Sequence, residues 1–141
     1  MTPAEELDSL IHWMFSEGLL DQQFQQLQML QDASNPNFVA EVITLFCKDS
    51  EIILTELTKL LNQPVVDFEK VDAYVHQLKG SSSSVGANNV KLACIHYENN
   101  KGCLSALNVV ESEYFRLKDK LAAMFLSRQS KPTRATNKFK E

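Results

Sequence analysis

"FEKVDAYVHQLKGSSSSVG", residues Phe68 to Gly86, runs from ordinary helix formers into four consecutive serines flanked by glycines. Serine and glycine in a row suggest a flexible linker, yet the apolar residues keep their spacing. Phe68, Val71, Val75, Leu78, Ser82 and Val85 stand three or four residues apart. A single buried stripe therefore passes straight through the serines, and that period belongs to a helix. Asp67 supplies its N-cap. At about 100° per residue, His76 lies roughly 140° from the centre of the stripe, and Gly80 is almost diametrically opposite it. His76 is thus predicted to point into water. Its exposed face carries Asp72 one turn before it and Gly80 one turn after, then Ser83 and Ala87, with Gln77 and Lys79 flanking. Glycine inside a helix costs about 1 kcal/mol relative to alanine, and each serine adds several tenths. Propensity sacrificed along one face marks a functional surface. Small side chains around a projecting imidazole let another protein's surface reach it.

The segments on either side are also helical in period. Leu7, Leu10, Ile11 and Met14 mark a short amphipathic helix stopped by Gly18, and Asp21 caps a second carrying Phe24, Leu27 and Leu30 or Gln31. Asn35 and Pro36 suit the cap and first position of a long helix, whose stripe is Phe38, Val42, Leu45, Cys47 or Asp49, Ile53, Leu57 and Leu60, closed by Pro64. After Gly86 a further helix turns Val90, Ala93 and Tyr97 inward, "NNKG" makes a turn, and Leu104, Leu107, Val110, Tyr114, Leu117, Leu121 and Met124 give the clearest stripe of all. The expectation is an all-α protein: an antiparallel four-helix bundle with two additional N-terminal helices, within residues 1–34, packed at one end. No internal repeat is evident.

At 141 residues with 44% hydrophobic and 23% charged, the chain suits one domain with its own core. Cys47, Cys94 and Cys103 form no CxxC pair and are odd in number, which favours reduced thiols and a reducing compartment. The acidic start "MTPAEELDSL" is unlike a basic signal peptide, and no membrane-length apolar run occurs, so a soluble intracellular protein is expected. Net charge is −4 but uneven: residues 128–141 hold five basic residues against Glu141, and the remaining 127 hold nine basic against seventeen acidic. The acidic body argues against nucleic-acid binding. The basic tail, 128–141, is expected to be disordered, with RNA binding or an import signal as its alternatives.

An exposed neutral imidazole offers a ring nitrogen's lone pair, which can attack phosphorus. Lys79, one turn on, can bring an ammonium to a phosphoryl group held on that ring. No Walker-type GxxxxGK[ST] loop or glycine-rich nucleotide loop is present, so the phosphoryl group has to come from a partner rather than from ATP. Competing readings are weaker. A lone surface histidine is usually just solvated. His76, Cys94 and His96 do not match common zinc spacings. Ser81 to Ser84 lack the GxSxG elbow of a serine hydrolase. His12 reads as a surface residue, and Phe38, Phe46, Tyr74 and Tyr114 as core.

Across "VDAYVHQLKGSSSSVGANNVK" the sequence resembles the plant histidine-containing phosphotransfer proteins, with support from "MFSEGLLDQQF", "LQDASNPNFVAEV", "LFCKDS" and "ESEYFRLKDKL". The likeness extends from about residue 7 to about residue 127, the histidine phosphotransfer domain being taken as residues 1–127. The resemblance implies a carrier in a cytokinin-type multistep phosphorelay, moving between cytoplasm and nucleus. His76 would take a phosphoryl group from the receiver-domain aspartate of a hybrid histidine kinase and pass it to a response-regulator receiver. Lys79 matches the family's phosphate-facing lysine and Gly80 its close-approach position; Asp72, Gln77, Ser83 and Ala87 complete the docking face. No metal site or cofactor of its own is implied, the receiver supplying Mg²⁺, and a monomer is expected. Some members carry asparagine in place of the histidine and act as inhibitors; this chain keeps His76. It departs from the family between Cys94 and Cys103, which is shorter by roughly half a dozen residues, or about one and a half helical turns. The next-to-last helix should therefore be stubby and leave the far end of the bundle partly uncovered, while His76, on the preceding helix, need not be disturbed. That departure motivates an alternative: a helical adaptor that docks receivers without transferring phosphate.

Overall fold

The computed structural model describes residues 2–129, with side chains described to Phe125. Six helices account for nearly all of them: α1 (Pro3–Ser16), α2 (Gln22–Leu30), α3 (Phe38–Leu61), α4 (Phe68–Val85), α5 (Asn88–Glu98) and α6 (Leu104–Gln129). No strand occurs among the described residues. α6 takes in Arg128 and Gln129; the rest of the basic segment, 130–141, lies outside the described residues. No described helix is long and apolar enough to cross a membrane.

Local chemistry sets most of the helix ends. Thr2 and Glu5 form a reciprocal capping box at α1, and Gly18, at φ +77°, turns the chain after Glu17. Asp21 caps α2 by accepting from the Gln23 N–H at 2.9 Å, and Asp67 caps α4 through Lys70 N–H at 3.3 Å. The start of α3 differs from expectation. Asn37, not Asn35, occupies the cap position, and its side chain makes no capping bond. Asn35 is instead drawn into a turn on Asp32, whose carboxylate accepts from the N–H groups of Ser34 and Asn35 and from the Ser34 hydroxyl. Such local turns compete with helix initiation. One free N–H at the start of α3, that of Val39, is satisfied from outside by Gln31 Oε1 at 2.9 Å.

α3, α4, α5 and α6 form the bundle, each packed on the next, and α3 closes the ring against α6. Short connections make successive helices antiparallel. α1 lies on α6, while α2 lies across α3 and α4. The stripe of α4 is buried as predicted from Val71 to Val85, with only Phe68 half exposed at its start. That of α3 is rotated from prediction. Val39, Ile43, Phe46, Ser50, Ile53, Leu54 and Leu57 face the core, Phe38 and Val42 are half buried, and Leu45 is exposed. Apolar residues occupy adjacent faces of this helix, so periodicity alone did not choose between two neighbouring stripes. Phe46 and Tyr114 are core, while Phe38 and Tyr74 pack at its edge.

Two polar ties lock the assembly. The Tyr114 hydroxyl donates its one proton to Glu51 Oε2 at 2.7 Å and lies 3.2 Å from the Cys47 carbonyl, and Lys118 reaches the same carboxylate at 2.6 Å, joining α6 to α3. The α1–α2 turn is keyed into the α4–α5 turn. Asp21 N–H donates to the Gly86 carbonyl, Asn88 N–H to Leu19 O, and the Asn88 and Asn89 carboxamides to the carbonyls of Gly18 and Glu17. Ala87, expected on the exposed docking face, is fully buried at this junction. The left-handed turn at Gly86, φ +78°, ends α4 one residue earlier and breaks the helical phase that would have carried Ala87 outward.

α5, with 11 residues, is the shortest of the four bundle helices, as its sequence implied. It still buries Val90, Ala93, Cys94 and Tyr97 against α4 and α6. Of the cysteines, Cys94 is buried with its thiol pushed up to about 12 by burial, Cys47 is half buried and Cys103 is exposed.

Candidate functional site

The serine run is helical to Val85, and its hydroxyls are handled within the helix. Ser81 Oγ donates to the Gln77 carbonyl and Ser84 Oγ to the Gly80 carbonyl, both at 3.1 Å; such i−4 back-bonding lets serine sit in a helix at small cost. Ser82 falls on the buried stripe. With this helix in phase, His76 projects outward with 71% of its side chain exposed.

One turn on, Lys79 is 29% exposed and lies along the same side. The two are joined by a residue from the neighbouring helix. Glu98, the last residue of α5, places Oε2 3.1 Å from His76 Nδ1 and Oε1 2.7 Å from Lys79 Nζ. A carboxylate can only accept, so the bonded tautomer of neutral His76 carries its proton on Nδ1 and leaves Nε2 with the lone pair. The Lys79 hydrogen bond holds the Glu98 carboxyl below its ordinary value, against the opposing effect of burial and with a lesser contribution from the His76 hydrogen bond. Glu98 is therefore ionised at neutral pH.

Around this triplet Gln77, Gly80 and Ser83 are exposed, as predicted. A Cβ built on Gly80 would meet nothing within 4 Å, so the clearing beside the imidazole is open. Asp72 lies on the expected side but is engaged: its carboxylate accepts the Tyr97 hydroxyl at 2.9 Å and sits 3.8 Å from Lys101 Nζ. The Tyr97 hydroxyl in turn accepts Gly102 N–H at 3.3 Å, which fastens the 99–103 connection to α4. Beside the clearing, Glu56, Leu60, Lys70, Ala73, Tyr74 and Gln77 line a shallow groove between α3 and α4. Of the predicted face, then, Ala87 is absent and Asp72 is held by its own chain, while His76, Lys79, Gly80, Gln77 and Ser83 are brought together.

The sequence alone does not reveal Glu98, and it leaves His76, on the preceding helix, undisturbed by the stubby α5. The helix instead ends at that histidine. A two-residue connection between antiparallel helices places residues equally distant from the turn abreast of one another. His76 and Glu98 are equidistant from Ala87, so counting outward from that turn would have found the pair.

The Hpt domain family matches residues 41–125. Rice histidine-containing phosphotransfer protein 1 is 52% identical over 127 residues, covering 86% of this chain and 86% of that protein. Its rice relative, histidine-containing phosphotransfer protein 2, is 53% identical over 127 residues, 85% of each chain. The crystal structure of a histidine-containing phosphotransfer protein from maize superposes with a TM-score of 0.82 at 52% identity, over 91% of this chain and 98% of that one. The all-helical bundle and the extent of the match agree: this chain belongs to the histidine-containing phosphotransfer family.

Proposed function

We propose that the chain is a phosphorelay intermediate whose phosphorylated residue is His76. The observation that carries this is an imidazole 71% exposed on a rigid helix, with Nδ1 engaged by a carboxylate and a lysine one turn away. The donor is the aspartyl phosphate of a receiver domain, as in a hybrid histidine kinase. The Nε2 lone pair attacks phosphorus, the bond from phosphorus to the aspartyl oxygen breaks, and aspartate leaves as a carboxylate. The proton stays on Nδ1, so the phosphorylated ring is briefly cationic and faces Glu98. Transfer to a response-regulator receiver is the reverse of this step. Positioning and charge neutralisation supply most of the catalysis in phosphoryl transfer. Here Lys79 contributes one positive charge within reach, and the acidic pocket with its Mg²⁺ belongs to the receiver. The chain needs no ATP site of its own. A monomer docking receivers in cytoplasm and nucleus, in a cytokinin-type relay, is the setting consistent with this role.

Incubation with a phosphorylated receiver domain tests the reading. The chain should acquire acid-labile, alkali-stable label, and His76→Gln should acquire none. Label that persists in His76→Gln would defeat the assignment. Partner binding with no label on the wild type would instead favour an adaptor that only docks.

A further inference from the structure

We infer that Glu98 is a positioning residue for phosphoryl transfer at His76, fixing which ring nitrogen is phosphorylated; the inference rests on the carrier reading and deepens it. Three observations meet at this carboxylate. It comes from a different helix than the residues it binds, so its placement depends on α5 stopping where it does. Its two oxygens are divided, Oε1 to Lys79 at 2.7 Å and Oε2 to His76 Nδ1 at 3.1 Å. Only 21% of its side chain is exposed, whereas the ring it holds is 71% exposed.

That contrast matters because a surface imidazole is otherwise free to rotate and to exchange its proton between nitrogens. Bonded to Glu98, the ring loses both freedoms. Nδ1 is turned toward α5 with its proton, and Nε2, bare, is turned away from it. Lys79 has a second part in this arrangement. Its ammonium anchors Oε1, which orients the carboxylate, which in turn orients the ring. As the bond from Nε2 to phosphorus forms, the proton on Nδ1 is retained and the positive charge growing on the ring meets a carboxylate already in place. Outer partners that orient a metal-binding histidine change affinity or activity by about 10–100-fold when removed, and the same order is expected for a partner that orients a nucleophilic one.

The test uses the full chain as wild type, Glu98→Ala and Glu98→Gln. Long-range proton–nitrogen NMR spectra of the imidazole, recorded in mildly alkaline buffer, report the tautomer directly. Wild type should show Nδ1–H, and Glu98→Ala should shift toward Nε2–H. Transfer from a phosphorylated receiver should be about tenfold slower in Glu98→Ala at saturating receiver. Glu98→Gln, which still offers an oxygen, should keep Nδ1–H and recover most of the rate. A wild-type tautomer unaltered in Glu98→Ala overturns the inference. So does an altered tautomer with an unaltered rate, or a Gln variant that behaves like the Ala variant. Wild type that takes no label overturns the carrier reading itself, and the spectra, which need no phosphodonor, tell that failure apart from a failure of Glu98.

Discussion

A methyl group added at Gly80 would meet nothing within 4 Å beyond its chain neighbours and the backbone of its own helix, so nothing packed against α4 calls for glycine there. Glycine in a helix interior is itself unfavourable, and Gly80→Ala should raise the unfolding free energy by about 0.5–1 kcal/mol, measured by urea denaturation. Gly80→Glu should leave helicity nearly unchanged by circular dichroism. It should nonetheless block phosphoryl acceptance, through bulk in the clearing and repulsion from an acidic receiver pocket. If Gly80→Glu accepts label at the wild-type rate, the clearing is not where the receiver sits. At this scale the direction of His76 was legible, because the stripe from Val71 to Val85 fixes which side of α4 faces water. Glu98 was not, because its bond to His76 spans 22 positions of sequence and depends on a helix end. Ala87 misled because the stripe was extended past Gly86, where a positive φ ends its phase.

Among the elements, the α4–α5 turn bears the most constraint. Gly86 combines a left-handed conformation with a carbonyl that accepts Asp21 N–H at 3.0 Å, and a Cβ there would run into the backbone of Phe24. Gly86→Ala should therefore cost at least about 1–3 kcal/mol from backbone strain alone, with the Phe24 collision added. A denaturation midpoint close to wild type would show that α2 can withdraw from this turn without penalty. Helix identity was readable throughout the chain, since every stripe repeats at three and four residues. The N-terminus of α3 was less so: Asn35 is as good a cap as Asn37 on paper, and the deciding influences, the Asp32 turn and Gln31, come from the residues before it.

For the whole molecule, carboxylates tie the bundle together in pairs of helices, Glu51 between α3 and α6 and Glu98 between α5 and α4. Both are held below the ordinary carboxyl value of 4.5, Glu51 chiefly by its hydrogen bond with Lys118 and then by that with Tyr114, Glu98 chiefly by Lys79. A carboxyl lowered in the folded state binds fewer protons there than when unfolded. Its stabilisation is accordingly complete above the unfolded value and is lost as pH falls through the folded one. The melting temperature should fall on acidification below about pH 4.5, and the fall should be shallower in Glu51→Gln, as followed by thermal scans across that range. An identical acid profile in wild type and variant would remove Glu51 from this role. The end of α5 at Glu98 also has an electrical consequence. A helix terminating abreast of the imidazole presents its carbonyl end there, the negative pole of a dipole equivalent to roughly half an elementary charge. Backbone, and not only a side chain, thus contributes negative potential at this spot, and that contribution would survive the loss of any single carboxylate.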